Sequence, residues 1–174
     1  LHQDGHSIVL VTSGAKAAGI ERLGFPELAR SVPAKQMLSA VGQSRLMHHY
    51  SEMFDIFNII VAQVLLTRED LSNRTRYLNA RDTLKTLIER RIIPIVNEND
   101  TVATREIRVG DNDNLSAMVA STVDADLLLI LTDQQGLFTA DPRTNPDAQL
   151  IAEVPRIDES IITLAGGSGT RLGT

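Results

Sequence analysis

The stretch from Asn97 to Asn114 carries the densest set of side chains that could do chemistry. Its eighteen residues include four asparagines, three aspartates and two glutamates. Apolar segments flank it, with residues 92–96 before it and residues 115–120 after it. Amides and carboxylates offer hydrogen-bond donors and acceptors together with negative charge. Surface loops seldom combine this composition with apolar flanks, so the stretch is interpreted as the floor of a binding site.

The available side chains favour phosphoryl transfer over nucleophilic catalysis. The chain has no cysteine, and the sequence pairs no histidine with Ser13, so a catalytic triad is poorly supported. Phosphoryl transfer depends mainly on positioning and on charge neutralisation. The backbone N–H groups of Ser13–Ala15, which follow an apolar run, can hold a phosphate. The alternative for this tripeptide is an ordinary strand-to-helix turn with glycine for tight packing.

Four polar side chains have suitable roles in such a reaction. Asn112 and Asp100 can hold the ammonium group of an amino acid. Asp113 can orient cationic side chains, and Asp133, which follows another apolar run, can reach a nucleotide or its metal. Against this, Lys16 is the only lysine near the candidate phosphate loop, and the sequence has neither a P-loop nor a kinase-type glycine loop.

Short apolar runs, separated by helical patterns, must position these groups. Strands are predicted over residues 7–12, 59–67, 92–96, 126–133 and 150–154. The first run is continuously apolar, which fits a parallel strand, and strands that alternate with helices at this spacing predict a three-layer α/β/α sandwich with a mainly parallel sheet. Ligands of such sheets bind beyond the carboxyl ends of the strands. We therefore expect Ser13, Thr67, Asp100 and Asp133 to meet at one edge of the sheet.

Helices are predicted in the intervals between the strands, the longest over residues 34–57. Asn112 or Asp113 is expected to cap one helix, and Asp158 another. Pro94 interrupts the third strand, and an edge position or a bulge would accommodate it, because proline lacks the N–H that a sheet ladder needs. The predicted buried stripe of the longest helix comprises Met37, Val41, Ser44, Met47, Tyr50 and Phe54.

Composition and charge exclude several other classes of protein. The chain has 174 residues, 43% of them hydrophobic and 3% aromatic, which suits one domain with an aliphatic core. A net charge of -5 argues against a nucleic-acid or anionic-membrane surface, and the absence of cysteine excludes thiolate metal sites. No apolar run reaches the roughly 18 residues of a spanning helix. A cytoplasmic protein is therefore predicted.

Both ends of the chain look cut. Leu1–Gly5 reads like the end of a helix, and residues 165–174 stop inside a glycine-rich loop. We expect the chain to be part of a longer protein and to form one partial domain over residues 1–174.

Six segments, spread over nearly the whole chain, match the pattern of a known family. They are Val11–Ala15, Gln63–Thr67, Leu78–Leu84, Pro94–Asp100, Val109–Ala117 and Leu131–Arg143. Through them the chain resembles the glutamate kinases of the amino acid kinase family. The resemblance implies ATP-dependent phosphorylation of the L-glutamate side-chain carboxylate to glutamyl 5-phosphate, the first step of proline biosynthesis.

The resemblance also implies a set of substrate contacts. By that match, Ser13, Asp100 and Asn112 contact L-glutamate, and Gly14 and Ala15 flank the path of the transferred phosphoryl group. These residues stand at the positions of the family's motifs in this sequence.

Further residues are implied for the nucleotide. Asp113 resembles the aspartate that organises the catalytic lysines, while Thr132, Asp133 and Thr174 resemble nucleotide contacts. ATP with Mg²⁺ on its phosphates is the implied cosubstrate. Family members are commonly inhibited by proline at a site that overlaps the glutamate site, and they form homo-oligomers.

The family's two phosphate-facing lysines have no counterpart in this sequence. One belongs to a strand that would precede Leu1, and the other to a loop that would follow Thr174. Loss of one well-placed cation costs on the order of 10³-fold in rate. We therefore expect the 174 residues alone to be nearly inactive, and full-rate phosphorylation of glutamate by them would refute this.

Two alternatives to a glutamate kinase stay open. One is a related kinase of acetylglutamate, carbamate or a nucleotide, which a panel of substrates would identify. The other is a module that binds glutamate or proline without catalysis. Calorimetry with glutamate, proline and ATP, compared with turnover, would separate binding from chemistry.

Overall fold

The computed structural model describes residues 1–27, 31–103 and 111–166. The chain divides into two compact units, Leu1–Leu128 and Leu129–Thr174. Within the described ranges, no helix has both the length and the apolar character needed to cross a membrane. The single partial domain over residues 1–174 and the cytoplasmic location stay predictions.

The first unit is built on a short parallel sheet. Its elements are β1 (Leu10–Val11), α1 (Ala15–Arg22), α2 (Val32–Asp55), β2 (Val61–Leu66), α3 (Arg68–Ser72), α4 (Arg74–Glu89), β3 (Ile93–Glu98) and α5 (Asp111–Thr122). The strand order is β1-β3-β2, and both pairings are parallel. The predicted α/β class with a mainly parallel sheet is confirmed, and its first three strands form at the predicted places.

The core of this unit surrounds β3, the central strand. Ile93, Ile95 and Val96 are only 2%, 0% and 0% exposed, as expected for a strand that is covered on both faces. Helices α4 and α5 both contact β3. The largest hydrophobic cluster comprises Leu66, Leu71, Leu84, Val96, Leu115 and Val119. The carboxyl end of β3 is therefore held by packing from the helices as well as by the sheet.

Pro94 lies in this central strand and its register with β2 is continuous, so both alternatives predicted for it, an edge position and a bulge, are wrong. The carbonyl oxygen of Val96 accepts a hydrogen bond from the backbone N–H of Thr12, next to β1, at 2.8 Å. Alternate residues of a strand direct their backbone groups to the same neighbour, so Pro94 also faces β1. Pairing with β1 begins only at Leu10 and Ile95. The missing N–H of proline is tolerated because it lies where this ladder starts.

Helices α1 and α2 approach so closely that their backbones touch at two glycines. A Cβ atom on Gly42 would lie 1.7 Å from the carbonyl oxygen of Ala15, and one on Gly19 would lie 1.9 Å from that of Leu38. This contact buries Leu38 and Gly42 on α2. Met37 is instead 42% exposed, so its predicted place in the buried stripe is wrong. The close approach to α1 buries the face of α2 that carries Leu38 and Gly42, next to the predicted one. The periodicity of apolar residues does not predict this approach.

The fourth strand predicted over residues 126–133 is wrong. The segment forms no strand, and its residues Leu127, Leu129 and Leu131 are 79%, 71% and 82% exposed. A strand needs a neighbour that pairs with its backbone N–H and C=O groups. Among the described residues no strand pairs with this segment. The apolar run therefore indicated a propensity to form a strand, but it could not indicate whether another strand would pair with it.

The second unit contains a small hairpin and a helix. Strands β4 (Leu137–Phe138) and β5 (Leu150–Ile151) pair in antiparallel fashion, and α6 spans Glu159–Gly166. Strand β5 lies within the fifth predicted strand. Asp158 caps α6 as predicted, since its Oδ1 accepts hydrogen bonds from the N–H groups of Ser160 and Ile161 at 3.0 and 3.1 Å.

Candidate functional site

Three of the predicted strand ends meet at one edge of the first unit. The register pairs Val11 with Val96 and Leu66 with Glu98, so all three strands point their carboxyl ends in one direction. Beyond the strands, the N–H of Asn99 donates to the carbonyl oxygen of Leu66 at 2.9 Å. We call this edge the sheet rim and define it as residues 13–15, 67–68 and 98–100. Its position agrees with the rule that ligands bind beyond the carboxyl ends of parallel strands.

Residues 13–15 form the turn between β1 and α1. Gly14 precedes the helix with φ 101°, and no side chain caps the helix there. Only glycine adopts this backbone conformation readily. The first intrahelical bond runs from Ala18 N–H to the Gly14 carbonyl oxygen at 2.9 Å. The N–H groups of the first helical turn therefore point towards the rim, where the helix dipole favours an anion.

Asn97, at the end of β3, supports the rim rather than facing a ligand. It is only 3% exposed. Its Nδ2 donates to Oε1 of Gln43 at 2.9 Å, and its Oδ1 accepts from the N–H of Glu98 at 2.8 Å. Asp100 follows in a turn and is half-buried. Within the described ranges, no hydrogen bond or ion pair occupies the Asp100 carboxylate.

Asn112 carries a buried acceptor that lacks a partner among residues 1–27, 31–103 and 111–166. It lies in the first turn of α5, which contacts β3 and β1. Its Oδ1 is shielded from solvent and accepts no hydrogen bond within the part of the chain that the structure describes. An unpaired buried carbonyl costs about 1–3 kcal/mol, which a ligand N–H would recover. Asp113 beside it is exposed. Because both lie inside the helix, the prediction that either caps it is wrong.

A cleft joins α5 to the strand ends. It is lined by Leu66, Arg68, Glu98, Asn114, Leu115 and Met118. Because its lining includes residues of both, the first two turns of α5 lie at the rim, next to the ends of β2 and β3. The sequence placed Arg68 with Thr67 at a predicted strand end but assigned this cation no chemical role.

Thr132 and Asp133 belong to the second unit and are exposed there. Thr132 Oγ1 accepts a hydrogen bond from the N–H of Gln134 at 3.2 Å. That these residues join the sheet rim stays a prediction, as do their contacts with a nucleotide. Thr174 lies outside the described residues.

Thr67 is fixed by a reciprocal helix cap. Its Oγ1 accepts from the N–H of Asp70 at 3.2 Å, and Asp70 Oδ2 accepts from the N–H and the hydroxyl of Thr67 at 2.8 and 2.7 Å. Arg76 Nη1 donates to Asp70 Oδ1 at 3.0 Å. Desolvation raises the pKa of the Asp70 carboxyl, but the bonds from Thr67 and the charge of Arg76 outweigh it and lower that pKa below 3.8.

Asp70→Asn is expected to remove a pH-dependent part of the stability. Because folding lowers the Asp70 pKa, the contribution is complete above the unfolded value of about 3.9 and is lost as pH falls through the folded value. We expect the variant to unfold about 1 kcal/mol more easily at pH 7. Urea denaturation from pH 7 to pH 2 checks this, and a difference that persists unchanged at the lowest pH would contradict it.

No group of three or more histidine, aspartate or glutamate side chains is placed to hold a metal ion within residues 1–27, 31–103 and 111–166.

Comparison with known proteins gives one consistent result. The model of the family described as "Amino acid kinase family" matches residues 1–170. The chain is 59% identical over 174 residues to the glutamate 5-kinase of Sodalis glossinidius and 60% identical over 173 residues to that of Erwinia tasmaniensis. These matches cover 100% and 99% of the chain but only 47% of each relative. The chain thus spans about half the length of the curated relatives it matches.

Proposed function

The chain belongs to the amino acid kinase family, and we propose that it takes part in the ATP-dependent phosphorylation of L-glutamate, the first step of proline biosynthesis. Two kinds of observation support this. The similar proteins are named glutamate 5-kinase at 59–60% identity. The rim also offers a helix N-terminus, which suits a phosphate, and Asn112 on α5 offers an Oδ1 that has no partner among the described residues, which suits an ammonium group. The observation that carries the proposal is the buried Asn112 acceptor, which has no partner in the part of the chain that the structure describes.

The rim residues Ser13, Gly14, Ala15 and Asp100 have roles in this proposal, together with Asn112 on helix α5. The α-ammonium group of L-glutamate donates to Asn112 Oδ1 and to the Asp100 carboxylate. Ser13 contacts the substrate carboxylate that accepts the phosphoryl group. The N–H groups of Gly14 and Ala15 lie along the path of that group and stabilise its negative charge. The positive ammonium group of the substrate then faces hydrogen-bond acceptors, and its negative side-chain carboxylate faces hydrogen-bond donors.

The reaction needs little covalent help from the protein. An oxygen of the glutamate side-chain carboxylate attacks the γ-phosphorus of ATP, so that a carboxyl O–P bond forms while the bond from the γ-phosphorus to the β,γ-bridging oxygen breaks. ADP leaves with that electron pair. The attacking carboxylate is already ionised near neutral pH, so no general base is required. Positioning and charge stabilisation by the rim are the protein's contribution.

The nucleotide side of the proposal rests on the second unit. Thr132, Asp133 and Thr174 are proposed to contact ATP, and Asp113 is proposed to orient the cationic groups that face the phosphates. Mg²⁺ would bind the phosphate oxygens and neutralise part of their charge. We also propose proline as an inhibitor that competes for the glutamate site, and a homo-oligomer as the working form.

Titration calorimetry tests the substrate assignment. L-Glutamate is expected to bind, whereas N-acetyl-L-glutamate, whose amide nitrogen is uncharged, is expected to bind at least about 10-fold more weakly, because a charged hydrogen bond contributes roughly 1.5–3 kcal/mol. L-Aspartate, one methylene shorter, controls for chain length. Tighter binding of the acetylated compound would overturn the proposal in favour of a related kinase.

A further inference from the structure

Helix α2 bonds to the residue that precedes Ser13. The hydroxyl groups of Tyr50 and Thr12 are 2.6 Å apart. Thr12 is 8% exposed, and its hydroxyl also donates to the carbonyl oxygen of Ser13 at 3.2 Å. Since the single hydroxyl proton of Thr12 points to Ser13, the Tyr50 hydroxyl donates to Thr12. The phenol thus fixes a side chain that itself holds the backbone of the phosphate turn.

The same helix bonds to the end of β3. Gln43 Oε1 accepts from Asn97 Nδ2 at 2.9 Å, and Gln43 Nε2 donates to Gln63 Oε1 on β2 at 3.4 Å. Asn97 in turn fixes the N–H of Glu98 at 2.8 Å. The amide of Gln43 therefore connects α2 to the strand that leads into Asp100.

A third contact joins α2 directly to the turn. Gly42, next to Gln43, packs against the backbone of Ala15, the first residue of α1. Positions 43 and 50 are seven residues apart, about 10.5 Å along a helix and nearly on one face. One face of α2 therefore reaches both neighbouring strand ends of the rim.

We propose that Tyr50 and Gln43 are positioning residues, which fix the separation of the Ser13–Ala15 turn from the Glu98–Asp100 turn. Neither residue belongs to the rim. They act through Thr12 and Asn97, which are buried and whose hydrogen bonds fix the adjacent backbone. The consequence is that donors for an anion and acceptors for an ammonium group stay at one distance, suited to one length of amino acid. This rests on the proposed function for the identity of the ligand but not for the positioning itself.

Tyr50→Phe tests the first contact, because it removes a single hydroxyl. We expect the amides of Thr12 and Ala18, which donate to the carbonyl oxygens of Val96 and Gly14 on either side of the turn, to exchange with deuterium about 5-fold faster, as loss of one hydrogen bond predicts. L-Glutamate is expected to bind about 2- to 10-fold more weakly. Tyr77→Phe is the matched control: Tyr77 packs against the core, and its hydroxyl has no hydrogen bond within the described ranges. The control should change neither readout.

Gln43 allows a test by rescue. Gln43→Glu keeps the acceptor for Asn97, so exchange at Glu98 and the affinity for L-glutamate should stay near those of the unaltered chain. Gln43→Leu removes the acceptor, so the Glu98 amide should exchange faster and L-glutamate should bind more weakly. Both variants are first compared by urea denaturation, so that an effect of global stability is recognised.

The possible outcomes separate the two proposals. If Tyr50→Phe and Tyr77→Phe give equal exchange at Thr12 and Ala18, or if Gln43→Glu behaves like Gln43→Leu, the positioning role is wrong. If the unaltered chain does not bind L-glutamate, the proposed function is wrong, while the exchange rates still decide the positioning role.

Discussion

Asn112→Ala is expected to weaken L-glutamate binding by about 10- to 100-fold, because hydrogen bonds to charged groups contribute roughly 1.5–3 kcal/mol. The stability of the protein should respond in the opposite direction. In the free protein the Asn112 Oδ1 is buried without a partner among the described residues. Removal of an unsatisfied buried acceptor relieves its desolvation penalty, so the free energy of unfolding should stay equal or rise. This combination distinguishes a binding residue from a structural one.

Calorimetry with L-glutamate and urea denaturation together check this prediction. Asn79→Ala is the matched control, since Asn79 is exposed on α4. The control should leave the affinity unaltered. A variant of Asn112 that loses stability but binds glutamate normally would show that this amide supports the fold and does not face a ligand.

Gly42→Ala is expected to destabilise the protein, although helix propensity alone predicts the reverse. Alanine within a helix is about 1 kcal/mol more favourable than glycine. At this position, however, the new Cβ would lie 1.7 Å from the Ala15 carbonyl oxygen and 2.4 Å from the Gly19 nitrogen. These are backbone atoms, so α1 and α2 must move apart. Overpacking of this kind typically costs 1–3 kcal/mol or more, and we expect a net loss of about 2 kcal/mol.

Thermal and urea denaturation measure this loss. For a chain of this size, about 2 kcal/mol corresponds to a fall in Tm of roughly 4–8 °C. Ala40→Gly on the exposed face of α2 calibrates helix propensity by itself and should cost about 1 kcal/mol. An increase in stability on Gly42→Ala would mean that α1 and α2 are not in backbone contact. Because α1 begins at the phosphate turn, glutamate affinity should fall in parallel with stability.

Most of the candidate site in the first unit could be predicted from sequence, because its residues directly follow the strands along the chain. Continuous apolar runs predicted the parallel strands, and polar residues directly after them predicted the rim. Ser13, Thr67 and Asp100 follow strands whose carboxyl ends share one edge. Parallel pairing makes that meeting unavoidable once the strands are correctly assigned. The family resemblance added the assignment of roles, which no periodicity contains.

Other features depended on neighbours that a linear pattern does not specify. Pro94 occupies a central strand because the partner ladder starts just beyond it. Met37 is exposed because the two glycines bring α1 against the adjacent face of α2. Residues 126–133 are as apolar as any strand here, yet they pair with no strand in the described ranges. In each case the local preference was correct and the tertiary surroundings decided the outcome.

The sequence by itself determined the α/β class, the first three parallel strands and the family, since these follow from residue type, spacing and motif. Only the tertiary structure revealed that Asn97 is bonded to Gln43, while the Oδ1 of Asn112 has no partner within the described ranges. Both are asparagines in the same polar stretch, and composition treats them alike. Their difference lies in which partners the fold brings within about 3 Å, because hydrogen bonds act only at contact distance.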